Sequence, residues 1–293
     1  MHMLDGLTGT RRSRVALFVC WLACSMAAAH VVLSAAQVDS VRLYVIDMGG
    51  RPPGPTLSTS PAYLVVHPKG TLLWDTGGLP DSYVGSNRSR EELGAAVQTY
   101  AVEKTLKQRL ADIGYTPAQI TFFALSHYHY DHSANANDYA GSTWLVQRAE
   151  HDAMFAEPPP PMATNVPGGA ADFRTYSALK NSKTVIIENK DHDVFGDGTV
   201  VIKFTPGHTP GGQALFVKLA KFGPVLVTGD VYHSAAEHVP PFTAVPSIDT
   251  SKEQTIASRV SLEAFLKQTG AAFWIPHDVK TFQTLKKSPD YYD

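Results

Sequence analysis

Cysteine is nearly missing from this 293-residue chain: there are two, Cys20 and Cys24. Everything after Cys24 lacks a thiol, so no disulfide framework can hold it, and a metal site there must be built from histidine and carboxylate. Charge is sparse as well. Charged residues make up 18%, and Lys+Arg 25 against Asp+Glu 27 leaves a net of −2. With no basic surplus, binding driven by a nucleic-acid backbone is excluded. Hydrophobic residues at 44% exclude a disordered chain. Gly 22 and Pro 20 are near ordinary usage, which excludes a fibrous repeat. No apolar run after Ala29 is long enough to span a bilayer. No Gly-x-Ser-x-Gly context offers a serine nucleophile.

The N-terminus has its own layout. Arg11, Arg12 and Arg14 precede the uncharged stretch Val15–Ala29, which ends in Ala27-Ala28-Ala29, and small residues recur as Ser34-Ala35-Ala36. A basic segment, a 15-residue apolar stretch and small residues have the layout of a secretory signal peptide and are short for a spanning helix, an uncleaved anchor being the other reading. Residues 1–36 are therefore expected to be a signal peptide and residues 37–293 a single domain, periplasmic or secreted, with no stable membrane insertion after cleavage. Removing residues 1–36 takes away three arginines, one aspartate and both cysteines, leaving a net of −4.

Strand and helix patterns alternate along the rest. Val41–Ile46, Ala62–Val66, Thr71–Trp74, Thr121–Leu125 and Thr143–Val146 read as strands in the first half. Thr184–Ile187, Thr199–Phe204, Gln213–Leu219, Val225–Thr228 and Ala271–Ile275 read as strands in the second. Apolar spacing predicts helices over Glu91–Ile113, Gln147–Phe155 and Lys252–Gln268. Glu157–Gly169, with Pro158–Pro161 and Pro167, is a loop, either a linker or an insertion shaping the mouth of a site. Two groups of strands, each followed by helices, predict two packed sheets with helices outside, an α/β fold.

The chemistry concentrates in His127-Tyr128-His129-Tyr130-Asp131-His132. Three imidazoles and a carboxylate within six residues are natural zinc donors. His127 and His129, two apart in an extended segment, share one side. Asp131 and His132 follow a change of direction and can serve a second ion. Downstream, His208 in Thr205-Pro206-Gly207-His208-Thr209-Pro210-Gly211-Gly212, Asp230 in Thr228-Gly229-Asp230 and His277 in Pro276-His277-Asp278 repeat one pattern: strand, sharp turn, donor.

This set, in this order, resembles the metallo-β-lactamase superfamily over about Val41–Asp278, and Trp74-Asp75-Thr76-Gly77 is similar to that family's strand-end Asp-Thr-Gly. The resemblance implies a four-layer αββα sandwich with a dinuclear metal centre between the sheet edges. Carried over, His127, His129 and His208 hold one metal, Asp131, His132 and His277 the other, and Asp230 bridges them. The cofactors implied are two divalent ions, zinc first. Ions about 3.5–4 Å apart can share a hydroxide and polarise a carbonyl or phosphoryl oxygen. Asp75 either orients a ligand from behind or caps its turn.

Within the superfamily, His127–Asn135, the Thr205–Gly211 turn, Gly229–His233 and His277-Asp278 resemble the secreted N-acyl homoserine lactonases. That likeness implies opening of the lactone ring of a small acylated substrate, a quorum-quenching activity. The alternatives are another dinuclear-metal hydrolase (carboxyl or aryl esterase, phosphotriesterase, β-lactamase) or a non-catalytic metal-binding protein. A cysteine-using β-lactamase is disfavoured by the thiol-free chain, and a glyoxalase-II-like thioesterase by export. The sequence departs from the family at one place. Many of these lactonases have tyrosine three residues after the bridging aspartate; here His233 stands there and Tyr232 just before it. The catalytic set is therefore Asp131 and Asp230 with Tyr232 or His233 hydrogen-bonding the developing oxyanion. Met154, Phe155, Met162, Val166 and Pro240-Pro241-Phe242 are candidates for an apolar wall along an acyl chain.

Overall fold

The protein is described from a computed structural model, which covers residues 38–49, 58–84, 102–161 and 171–293. The expected signal peptide, the first part of the Glu91–Ile113 helix, Met162 and Val166 lie outside these residues. The strands are β1 Arg42–Ile46, β2 Ala62–His67, β3 Gly70–Trp74, β4 Phe122–Ala124, β5 Thr143–Gln147, β6 Thr184–Ile187, β7 His192–Asp193, β8 Val200–Phe204, β9 Gln213–Leu219, β10 Gly223–Val227 and β11 Ala272–Trp274. The helices are α1 Leu106–Asp112, α2 Tyr130–Ser133, α3 Arg148–Met154, α4 Phe173–Tyr176, α5 Lys252–Thr269 and α6 Val279–Thr284.

The strands form two sheets, ordered β1-β2-β3-β4-β5-β6 and β11-β10-β9-β8-β7. In the first, β1, β2 and β3 pair antiparallel, while β3 to β6 run parallel. In the second, β10 and β11 run parallel and the other pairs antiparallel. Successive side chains of a strand point to opposite faces, and here both faces are covered. Leu43, Val45, Tyr63, Val65, Leu72 and Trp74 meet Ile202, Leu215, Val217, Val225 and Val227 in one cluster between the sheets. The alternate residues Tyr44, Ile46, Leu64, Leu73 and Phe123 pack with Leu106, Leu110 and Met154 of α1 and α3. Ala214, Phe216 and Leu226 pack with Leu262 of α5. This is the expected four-layer sandwich, and double-sided burial explains why the strands read as continuous apolar runs.

Three local features differ from the sequence reading. In the described part of the expected Glu91–Ile113 helix, α1 begins at Leu106: Thr105 caps it, accepting from Gln108 N while Gln108 Oε1 accepts from Thr105 N, and Val102–Lys104 are not helical. α6 follows His277 directly, its end capped by Asp278. Met154, offered as an acyl-chain wall, is fully buried in the core beside the first sheet and faces no opening. Among the described residues no helix is long and apolar enough to cross a membrane.

Candidate metal centre

The fold brings five strand ends to one edge. β3 and β4 are parallel, as are β10 and β11, and β8 runs with β10 because both are antiparallel to β9. Their C-terminal ends lead into Asp75, His127–His132, His208, Asp230 and His277. The turns are shaped to deliver these side chains. Asp75 has φ +58°, a region open to aspartate at small cost. Gly207 has φ +136°, and a Cβ there would stand 2.2 Å from Thr255 N, so the His208 turn lies directly against α5. α2 turns the chain after His129, and Thr76 holds that short helix by donating its N–H (2.7 Å) and Oγ–H (2.9 Å) to the His132 carbonyl.

Two donor groups result: His127, His129, His208 and Asp230, and Asp131, His132 and His277, with the ligand atoms of each group within 4.8 Å of one another. Asp230 stands between them. Its Oδ1 is 3.2 Å from Nε2 of both His132 and His277, and its Oδ2 is 3.4 Å from His208 Nε2 and 3.6 Å from His127 Nε2. All seven expected ligands are thus together, six of them buried and Asp131 with 12% of its side chain exposed.

The outer nitrogens fix the tautomers. His132 Nδ1–H donates to Asp75 Oδ2 at 3.0 Å, His208 Nδ1–H to Asp249 Oδ1 at 2.9 Å, and His277 Nδ1–H to the Thr59 carbonyl at 2.6 Å. With Nδ1 donating outward, Nε2 is the ring atom that each of these imidazoles has left to offer a metal as a lone pair directed inward. His132 Nε2 and His277 Nε2 then face each other at 3.1 Å, and His208 Nε2 faces His129 Nδ1 at 2.9 Å. Facing lone pairs repel unless positive charge lies among them. His127 Nε2 and Asp230 Oδ1 are buried without a hydrogen bond. The donor set therefore fits divalent cations: one group offers three imidazoles and a carboxylate oxygen, the other two imidazoles and a carboxylate with Asp230 beside it.

The electrostatics agree. Burial, then the neighbouring imidazoles, hold His127 and His129 well below the usual histidine range despite Asp230, so both are neutral donors. At His132 burial acts the same way but is outweighed by Asp230, Asp75 and Asp131, which lift it well above that range. Burial opposes ionisation of Asp230, yet His277, His132, His127 and His233 hold it well below the carboxylate range. The second group carries a surplus of negative charge that a cation satisfies.

The structure separates Tyr232 from His233. Tyr232 is fully buried on the far side of the second sheet: its hydroxyl donates to Glu263 Oε1 at 2.9 Å, and Arg259 Cζ lies 4.5 Å from the ring centroid. It does not reach the donor groups, which corrects its assignment as a candidate for the oxyanion. His233 does reach them. Its Nε2 lies 3.4 Å from Asp230 Oδ2, its ring is 4.8 Å from that of His208, and 24% of its side chain is exposed. Burial opposes its protonation, but Asp230 and Glu237 raise it to about 9. Of the apolar candidates, Phe155 packs against Trp144 and Tyr176, and Phe242 lies over His238.

Sequence reasoning missed Asp249, Thr59, Glu237 and Glu150, which touch the site from behind. Asp249 accepts from both His208 and Thr255 Oγ1. Glu237 pairs with the fully buried Arg259, which also donates to the carbonyls of Val231, Phe242 and Ala244.

The Lactamase_B family model, described as the Metallo-beta-lactamase superfamily, matches residues 55–268. Among curated proteins, the N-acyl homoserine lactonase AttM of Azorhizobium caulinodans is 28% identical over 239 residues, 80% of this chain and 87% of that protein. An N-acyl homoserine lactonase from a Bacillus species is 28% identical over 233 residues, 78% and 85% of the two chains. Among solved structures, a mutant of AiiA from B. thuringiensis with N-decanoyl-L-homoserine at its active site superposes with TM-score 0.68 at 25% identity, covering 87% of this chain and all of that one. An N-acyl homoserine lactone hydrolase with its product N-hexanoyl-L-homoserine at the catalytic metal centre gives TM-score 0.69 at 24% identity over the same share of this chain.

Proposed function

This chain belongs to the metallo-beta-lactamase superfamily, and from that premise we propose that it is a dinuclear-zinc N-acyl homoserine lactonase, a quorum-quenching hydrolase. The observation that carries the reading is the convergence of seven donors into two groups that share Asp230. The substrate class is supported by the curated lactonases that match about four-fifths of the chain. When bound, the two ions supply Lewis acidity toward the lactone carbonyl and a water that is acidic near neutral pH.

The chain's own residues supply the rest. Asp230 holds the two groups in register through its two oxygens. His233 presents Nε2 at the open side, where an N–H donates to the oxygen on which negative charge develops. Asp131, the other partly exposed group, takes up the proton released by the attacking water and passes it to the ring oxygen as the acyl–oxygen bond breaks. The product is an N-acyl homoserine with a free hydroxyl and a carboxylate. Export through residues 1–36 is part of the proposal, supported by Arg11–Arg14 and the apolar stretch Val15–Ala29.

The test is proton release by the purified, zinc-supplied protein on an N-acyl homoserine lactone, an aryl ester and a β-lactam, each with and without chelator. Chelator-sensitive turnover strongest on the lactone is expected. Turnover on the ester and none on the lactone would redirect the function to a general esterase.

A further inference from the structure

Glu150 belongs to neither donor group, yet it touches both loops that supply the first one. Its side chain is on α3 and the residue is 1% exposed. Oε1 accepts from Tyr128 N at 2.8 Å and from Thr209 Oγ1 at 3.0 Å, and Oε2 accepts from Gly211 N at 2.8 Å. Tyr128 lies between His127 and His129, and Thr209 follows His208. The loops are pressed onto the same spot: a Cβ on Gly211 would stand 2.3 Å from Glu150 N. Gly211 therefore has to be glycine for the His208 turn to reach α3.

A buried carboxylate is costly unless it is fully bonded, and apolar packing of similar volume often holds two segments together equally well. Burial pushes this carboxyl up to about 7 even against its three hydrogen bonds. What a carboxylate offers and packing does not is a fixed distance between named backbone atoms.

We infer that Glu150 is a positioning residue for the first metal: it locks the His127–His129 loop to the His208 turn and so sets the 2.9 Å approach of His129 Nδ1 to His208 Nε2. The inference rests on the reading of these histidines as metal ligands. Glutamine is the discriminating replacement. It has one acceptor oxygen and one NH2 group where the site needs two acceptors. Its oxygen can serve Tyr128 and Thr209, which leaves the NH2 group against the Gly211 N–H and frees the His208 turn.

The experiment is zinc titration of the chelator-stripped protein against a chromogenic chelator, for wild type, Glu150→Gln and the milder Thr209→Val, with thermal unfolding of each stripped protein in parallel. Glu150→Gln is expected to weaken one of two zinc equivalents by about 10–100-fold, with the other within about threefold. Thr209→Val should weaken the same equivalent by less. A Glu150→Gln protein that binds both equivalents like wild type, or loses both equally, overturns the inference while the metal centre stands. So does a Glu150→Gln chain that fails to fold while Thr209→Val binds normally, because Glu150 is then a stability element alone. Absence of zinc uptake by wild type overturns the metal centre and the inference with it.

Discussion

Replacing Asp75 by asparagine tests whether the outer hydrogen bonds of the site do chemical work. Asp75 accepts two bonds, Ser126 N at Oδ1 (2.6 Å) and His132 Nδ1 at Oδ2 (3.0 Å). Asparagine keeps the volume and tolerates φ +58°, but it has only one acceptor. Leaving the buried Ser126 N–H unmet costs about 1–3 kcal/mol. The amide oxygen therefore stays on Ser126 and the NH2 group faces His132 Nδ1. The His132 proton then moves to Nε2, the atom 3.1 Å from His277 Nε2 and 3.2 Å from Asp230 Oδ1. A nitrogen carrying a proton cannot ligate. Losing such a partner costs about 10–100-fold in metal affinity, or roughly 1.4–2.7 kcal/mol. Ser126 Oγ, 3.1 Å from His132 Nδ1, can take over part of the acceptor role and places the expected loss in the lower half of that range. Zinc competition should show one weakened equivalent, and lactone turnover at limiting zinc should fall in proportion. A folded Asp75→Asn protein that binds both equivalents with wild-type affinity would refute the tautomer argument.

The remaining predictions concern His233, Tyr232, Arg259 and Glu150. His233→Phe should lower kcat by about 10²–10³-fold with both zinc equivalents retained, and an unchanged kcat removes His233 from the reaction. Tyr232→Phe breaks the bond to Glu263 and should cost about 1 kcal/mol in urea unfolding with little change in kcat; a kcat loss matching that of His233→Phe would restore Tyr232 to the site. Arg259→Met strands Glu237 and three carbonyls, at about 3–5 kcal/mol, so an unfolding midpoint equal to wild type contradicts the role given to the buried cation. The carboxyl of Glu150 sits at 4.5 in an unfolded chain and at about 7 when folded. The folded state thus keeps a proton that the unfolded state has released. The stability from that proton is fully present below about 4.5 and is lost as pH rises through about 7, up to about 3 kcal/mol over the span. Chelator-stripped wild type should therefore lose stability between about pH 5 and about pH 7.5 relative to Glu150→Gln; parallel stability curves would show that this carboxyl is not shifted.

Most of the architecture was legible because its signals are local. Strands buried on both faces give apolar runs, as in Ala62–His67 and Gln213–Leu219, and glycine or proline turns punctuate them. His127–His132 announces itself because six consecutive residues carry four of the expected ligands. His208, Asp230 and His277 were readable only as a repeated pattern of strand, turn and donor, which parallel strand ends then gather at one edge. Glu150, Asp249 and Thr59 were not legible. Their partners at the site are main-chain, hydroxyl or imidazole atoms 22 to 218 residues away, and nothing in their own neighbourhood marks them. Tyr232 and His233 are adjacent, and their opposite fates depend on the tight turn Gly229–Val231, whose rotation is not written in residue type. Within the described part of the expected Glu91–Ile113 helix, α1 starts at Leu106 and not at Val102, because the capping side chain of Thr105 decides where it begins.

The seven donors stretch from His127 to His277 in a chain that has no thiol after Cys24. Ions held by those donors would tie the first sheet to the second across more than half of the chain, as cross-links do. Such ties add to stability by mass action, by about 4 kcal/mol when free metal stands a thousandfold above its dissociation constant. They also release when metal is withdrawn, which a disulfide does not. Metal supply would therefore set the lifetime of this protein as well as its turnover: a starved molecule loses its catalyst and its staples together, and proteolysis would remove it faster than a loaded one.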